Sequence, residues 1–411
     1  MRRVVVTGMG GICPLGRSWP EIRAAMTAAR NTIRVMPEWD RYDDMNTRLA
    51  SPIDNFTAPG HWTRKQLRSM GRVAQLAVSA AEDALADAGL KDHPVIRSGA
   101  TGVACGSSMG SAPDIVDFAH FYINNNASGL NANSYVRLMP HTTAANIGVF
   151  FGAQGRIIPT SSACTSGSQG IGYAYEAIKF GRQTVMIAGG AEELCAAEAM
   201  AFDTLFATSR RNDTPQLTPR PYDRDRDGLV VGEGASILIL EELDHALARG
   251  ARIHAELIGF ATNSDGAHVT RPQQETMRAV MQMALQDAAL EPAAIGYVNG
   301  HGTATQQGDI AETRATSALF GSRMPISSQK SYIGHTLGAC GALEAWFSIE
   351  MMKDGWFAPT LNLDNVDPEC GELDYIAGGP RQIDAACVMN NNFAFGGVNT
   401  SLIFRRWTGT P

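Results

Sequence analysis

Short apolar, β-branched runs alternate with stretches of helical spacing along the whole chain, and this alternation limits the fold more than any other feature. Residues 3–7 are β-branched and end in glycines, which reads as a buried opening strand closed by a turn. From Val73 the apolar residues Val73, Leu76, Ala77, Ala80, Ala84, Leu85 and Ala88 recur at helical spacing, with Gly89 where a C-terminal cap belongs. Strand-like runs follow at 102–104, 184–188 and 236–240, with helical segments between them. Such an order predicts an α/β layered fold with buried sheets rather than a bundle or a sandwich. Composition changes near residue 250, after the amphipathic EELDHALARG. A second series then predicts a strand at 252–259, a helix over 273–289, a strand at 297–299, a helix over 309–320, and a strand pair near 388–390 and 400–404. The halves 1–250 and 251–411 therefore have similar element order, although no repeat is legible residue by residue. No low-complexity linker separates them, so tight packing of the two is expected.

Several function classes fall away on composition. With 44% hydrophobic and 18% charged residues the chain is neither disordered nor fibrous. A net charge of -7 argues against a general nucleic-acid binder. No apolar run approaches a membrane span, and the opening MRRVVVTGMGGICPLG breaks at glycines before a signal-peptide core could form, so a cytoplasmic location is expected. The 7 cysteines are an odd number without a CxxC pair, which suggests neither a disulfide framework nor a zinc ribbon, and most are expected to be buried thiols.

Chemistry is concentrated in three segments. In PTSSACTSGSQGIG a run of small polar residues carries Cys164 into a helix. A thiol at a helix N-terminus faces unpaired amides and the positive end of the dipole, which favour its thiolate; the alternative is an inert buried cysteine. His301 lies in NGHGTATQQGD, a strand end opening into a glycine-rich loop, and His335 lies in SSQKSYIGHTLGACGALE, flanked by Lys330 and Glu344. A lone loop histidine is usually a hydrogen-bonded structural residue, but two such loops together with one helix-start cysteine shift that balance. No HExxH or paired cysteine-histidine spacing is present, so no metal site is expected. The third segment, NNNFAFGGVN, places Gly396 and Gly397 after two aromatics; it reads as a turn whose backbone amides approach a bound group, or as a hairpin with aromatic plugs.

Taken together, SSACTSG, HGTATQQGD, SSQKSYIGHTLGACGALE and NFAFGGVN, in this order and spacing, resemble the β-ketoacyl-acyl-carrier-protein synthases of the I and II type. The opening VVVTGMG, the AGGAEEL segment and RPYDRDRDGLVVGEGA extend the resemblance over nearly the whole chain. It implies a thiolase-type fold of two similar α/β halves in five layers, and a homodimer. It implies Cys164 as the nucleophile that takes an acyl chain, His301 and His335 as the pair assisting malonyl decarboxylation, and the amides of Cys164 and Phe395 as an oxyanion hole, with Phe395 also a gate. Lys330 and Glu344 would be a charged pair orienting the site and Asp309 a supporting residue. Thr303 and Thr305 match positions that hydrogen-bond a phosphopantetheine arm. Phe393 belongs with Phe395 at the substrate. No cofactor is implied, because phosphopantetheine arrives attached to the acyl carrier protein. The reaction implied is decarboxylative condensation with malonyl-carrier in fatty acid synthesis.

Departures from the family pattern are Ala304 in place of serine, Gln329 in place of threonine, and FAFGGVN in place of FGFGGTN. Ala394 adds a Cβ where the family has glycine, so a stiffer gate is expected, and with it a rigid, flat acyl chain of a dedicated route such as aryl polyene synthesis. Arg64, Arg68 and Arg72 are spaced to line one helix face beside Lys65, which reads either as a solvated face or as a dock for an acidic carrier; Arg211 adds to it. A thiolase would carry a second cysteine where Phe393 and Phe395 stand. A non-catalytic chain-length partner would not need Cys164, His301 and His335.

Overall fold

The β-branched run at the start does not stop at its glycines. In the computed structural model, which describes residues 1–409, it continues as β1 (Val4–Ile12), and the last two residues of the C-terminal half lie outside the described residues. The glycines permit contact rather than a turn. A Cβ at Gly8 would sit 2.3 Å from the carbonyl oxygen of Ala84, and one at Gly10 would sit 2.5 Å from that of Ala80. The alanine-rich face of the helix Arg72–Asp87 thus lies directly on this strand, which explains why small residues recur on both elements.

Ten further strands join β1 in one sheet: β2 (Thr101–Gly106), β3 (Ile157–Thr160), β4 (Val185–Glu192), β5 (Gly234–Glu242), β6 (Ala255–Ser264), β7 (Tyr297–Asn299), β8 (Pro325–Ser327), β9 (Asp374–Tyr375), β10 (Cys387–Ala394) and β11 (Val398–Arg406). Their spatial order is β9-β8-β7-β10-β11-β6-β1-β5-β4-β2-β3. On one side of the seam the strands run β1-β5-β4-β2-β3, and on the other β6-β11-β10-β7-β8, the same permutation of chain order. Directions repeat as well. β2 is parallel to β3 and β4 while β5 is antiparallel to β4 and β1; β7 is parallel to β8 and β10 while β11 is antiparallel to β10 and β6. The seam itself is short, pairing Val4, Val5 and Val6 with Leu257, Glu256 and Ala255.

Two helices, Ser166–Lys179 and Cys340–Asp354, lie in the middle and contact strands of both halves as well as each other. Nearly every residue of Cys340–Asp354 is buried, and the lack of a polar face on that helix follows from its position. Outside the sheet, Arg72–Asp87 and Thr142–Phe151 cover the first half, and Gln274–Asp287 packs on β6 and β11 of the second beside Gln306–Phe320. Helix, sheet, helix pair, sheet and helix make the expected five-layer thiolase-like arrangement. No described helix is long and apolar enough to cross a membrane.

The close contact on β1 has a direct test. Gly10→Ala forces a Cβ against helix backbone and is expected to lower stability by about 1–3 kcal/mol, whereas Gly60→Ala, with nothing within 4 Å, is expected to be neutral. Urea midpoints that move equally for both would remove the argument.

Candidate active site

Cys164 sits in a 3₁₀ turn, Ala163–Thr165, that feeds the central helix Ser166–Lys179. Ala163 has a φ of +50°, a left-handed conformation that turns the chain off β3 and into the helix. The thiol is buried, and its Sγ is 2.9 Å from His335 Nε2. The backbone N–H groups of Phe395 and of Cys164 itself also act on the sulfur and favour its anion. Burial nevertheless dominates and pushes the thiol up to about 12, against the lowering expected from a helix start alone. The resting sulfur is a thiol, because a largely dehydrated anion costs more than the nearby donors and Lys330 return.

The two histidines reach this sulfur from the other half of the chain. His301 follows β7, and His335 follows the short helix Lys330–Ile333. Their rings stand at 86° with centroids 5.1 Å apart. In each, Nδ1 faces a donor: the Lys330 ammonium lies 3.1 Å from Nδ1 of His301, and the Leu337 N–H donates to Nδ1 of His335 at 3.2 Å. A neutral imidazole whose Nδ1 accepts must carry its proton on Nε2, so both rings offer an Nε2–H. Burial, reinforced by Lys330, holds both histidines well below their ordinary range, hence uncharged.

Lys330 is 1% exposed, which makes its charge the strongest electrostatic demand in the site. It forms an ion pair with the equally buried Glu344, whose second oxygen accepts from Asn392 Nδ2 at 2.7 Å. Asp309 accepts from Thr303 N–H at 3.0 Å and from Tyr222 N–H at 2.7 Å, and burial raises its carboxyl to about 6. Thr303 and Thr305 hydroxyls lie 2.9 Å apart on the cleft wall.

Sequence reasoning passed over several neighbours. Glu312 accepts the N–H groups of both His301 and Gly302, fixing the histidine loop, and burial raises it to about 8. Its place one helical turn after Asp309 was the available signal. Asn392 stood inside a quoted motif without a role. Cys340 was read with the packing cysteines, yet its thiol donates to the carbonyl of Cys164 at 3.2 Å. Arg226 is paired with Asp367 at 2.7 Å, beside Asp309.

A cleft of about 420 Å³ opens from Cys164, His301 and His335 past Phe395 to the surface. The NNNFAFGGVN segment is the β10–β11 hairpin, with Phe393 buried 6.1 Å from the His301 ring and Phe395 37% exposed against Phe202. Left-handed backbone occurs at Gly396 and Gly397, not at Ala394, which is laddered opposite Val398 in the strand. In this conformation Ala394 takes ordinary strand backbone and needs no glycine. Gln329, the second departure, uses its amide to hold Tyr297 and Ser327 hydroxyls, which is a packing role.

Residues 1–246 match the family described as Beta-ketoacyl synthase, N-terminal domain, and residues 254–364 match Beta-ketoacyl synthase, C-terminal domain. The chain belongs to the β-ketoacyl synthase family. A 3-oxoacyl-[acyl-carrier-protein] synthase 2 of Rhizobium meliloti (strain 1021) is 38% identical across 100% of both chains. The crystal structure of a β-ketoacyl synthase from Burkholderia phymatum STM815 superimposes with a TM-score of 0.98 at 60% identity, over 99% of this chain and 100% of that one. A type II PKS acyl-carrier protein in complex with its ketosynthase is matched with a TM-score of 0.87 at 29% identity over 99% of each chain. The protein is thus an acyl-transferring condensing enzyme, and the reading as a chain-length partner without chemistry is not favoured.

One surface expectation for this ketosynthase needs correction. Arg64, Arg68 and Arg72 do not share one helix face, because the short helix Arg64–Leu67 ends and a new one starts after Gly71. Arg72 turns inward to Glu233, while Arg64, Lys65 and Arg68 are exposed and, among the described residues, meet no carboxylate within ion-pair distance. Arg211 is half-buried and already engaged with Asp227 and the carbonyl of Asp225.

The protonation state can be measured. Since both histidines lie below the ordinary 6.5, the neutral pair is present throughout neutral pH and is lost only as pH falls through those lowered values. The ring proton shifts of His301 and His335 are expected to stay flat as pH crosses about 6.5; an inflection there in either would contradict the neutral assignment.

Proposed function

We propose that this ketosynthase carries out decarboxylative condensation of an acyl chain, held on Cys164, with malonyl-acyl carrier protein, yielding β-ketoacyl-acyl carrier protein for fatty acid synthesis. The observation that carries the reading is that Nδ1 of both His301 and His335 faces a donor, which assigns each ring an Nε2–H, while the two rings are grouped with the Cys164 thiol. In the first half-reaction the Cys164 sulfur attacks the acyl-carrier thioester. The carbonyl oxygen becomes an oxyanion in reach of the Cys164 and Phe395 amides, and the carrier thiol leaves with a proton. Malonyl-carrier then enters the same cleft. Its thioester oxygen takes hydrogen bonds from both imidazoles, so carbon dioxide departs and leaves an enolate without a base having removed a proton. The enolate carbon attacks the acyl-Cys164 carbonyl, and collapse of the tetrahedral intermediate expels the Cys164 sulfur as a thiolate, which takes a proton from water to restore the resting thiol.

Supporting parts follow from the same geometry. Lys330, held by Glu344, keeps the proton of His301 on Nε2, and its positive charge makes a resident metal cation unfavourable although Cys164, His301 and His335 offer ligand atoms within 4.8 Å of one another. Asp309 holds the Thr303 loop where Thr303 and Thr305 would bind the phosphopantetheine arm, and Phe393 and Phe395 wall the acyl path. No cofactor enters, since the arm arrives on the carrier. Lys65 and Arg68, with Arg64 beside them, suit an acidic carrier; Arg211 contributes less because it is engaged. A homodimer completes the reading. Exposed Tyr122, Ile123, Tyr135 and Val149, together with Ile157 on the edge strand β3, offer an apolar face that a second copy would cover. A cytoplasmic location belongs to the same reading, since the acyl carrier protein and its thioesters are the proposed substrates.

Cys164→Ala is expected to abolish condensation while malonyl-carrier decarboxylation persists, because the donors remain and only the acyl acceptor is lost. Product and carbon dioxide assays that fall together would sink this division of labour. Lys65→Glu or Arg68→Glu is expected to lower turnover of carrier-bound substrate, with the wild-type carrier reaction weakening as salt rises, and to spare pantetheine-thioester mimics. Equal losses with carrier and mimic would move the dock elsewhere.

A further inference from the structure

The chain turns sharply just after His335. Leu337, a bulky residue, has a φ of +44°, and its N–H is the group that occupies His335 Nδ1. Such a conformation persists only where the surroundings over-determine it. The next residue, Gly338, approaches the end of β4 so closely that a Cβ there would lie 2.7 Å from Glu192 Oε2 and 2.8 Å from Ser108 N. Glu192, 0% exposed, closes the contact. It accepts the Gly338 N–H at 2.9 Å, the Ser108 N–H at 2.7 Å, the Ser107 hydroxyl at 2.7 Å and the Ser108 hydroxyl. All these partners are arranged as donors, which is the environment of a carboxylate. No step described above uses it.

We propose that Glu192 is a positioning residue for the Cys164–His335 pair: by fastening Gly338 it keeps the Leu337 N–H on His335 Nδ1, and so keeps the Nε2–H on the sulfur. The inference rests on the proposed role of that pair. The titratable groups acting on Cys164 are Lys330, which favours the thiolate, and Glu192, which opposes it; His301 and His335 are uncharged, and Cys340 is a buried thiol. The residue therefore acts on the thiol through the donor it pins.

Glu192→Gln separates this from a scaffold role. It removes the charge and turns an amide NH₂ toward groups that are themselves donors. Alkylation of Cys164 by iodoacetamide, at a fixed pH below the thiol's midpoint, is expected to slow several-fold, because a thiolate there loses the Nε2–H that His335 holds on it. In the same variant the ¹⁵N shift of His335 Nδ1 is expected to lose its single-tautomer value, and condensation of carrier substrates to fall. An unchanged alkylation profile, with activity falling only in proportion to the folded fraction, would overturn the proposal. Ser107→Ala covers the case in which the first variant fails to fold. It keeps the carboxyl, removes one donor, and is expected to shift the alkylation rate in the same direction by a smaller factor; no shift would again overturn the proposal. Alkylation needs no acyl carrier, so a wild-type protein without condensing activity would refute the proposed function while leaving this readout intact.

Discussion

A buried ammonium governs the chemistry of this molecule. Lys330 is removed from water and must be neutralised, which requires Glu344 from the central helix Cys340–Asp354, which in turn engages Asn392 from β10. One charge thereby locks a short helix, a long helix and a strand into a single arrangement. Breaking such a pair by removing one partner typically costs about 3–5 kcal/mol, because the other charge is stranded. The same ammonium holds a proton off His301 Nδ1 and helps keep both imidazoles neutral. Stability and reactivity thus depend on the same contact.

The fold makes that contact possible by bringing two helix starts together. Ser166–Lys179 begins two residues after the thiol, and Cys340–Asp354 begins five residues after His335; both are sandwiched between the two repeated strand sets. Close approach depends on small residues. A Cβ at Gly167 would stand 3.0 Å from the Gly338 carbonyl, and one at Gly190 would stand 2.3 Å from it. Room for larger side chains at this junction would separate sulfur from imidazole.

Strand and helix placement was readable wherever a run was long and periodic. The helix over 273–289 is Gln274–Asp287, and the strands near 388–390 and 400–404 are the centres of β10 and β11. The glycines of β1 misled because a turn and a close contact use the same residue for different reasons. Arg72 misled because spacing cannot register the break at Gly71. Cys164, His301, His335, Lys330 and Glu344 were legible through their motifs, and the structure brings all five together. Burial was not legible. Local sequence around Cys164 left a favoured thiolate and an inert buried cysteine both open, and it is burial in the folded chain, which pushes the thiol up, that decides the resting state. Glu192 escaped because the groups it holds, the Gly338 N–H and the Ser107–Ser108 turn, come from segments far from it in the chain.

The thiol and its imidazole donor are separated by 171 residues. During synthesis the cysteine leaves the ribosome long before the loop that aims a proton at it. A chain that ends early carries the sulfur without His301, Lys330 or His335. Chain order therefore leaves the sulfur without its proton donor until the second half of the molecule has supplied His335.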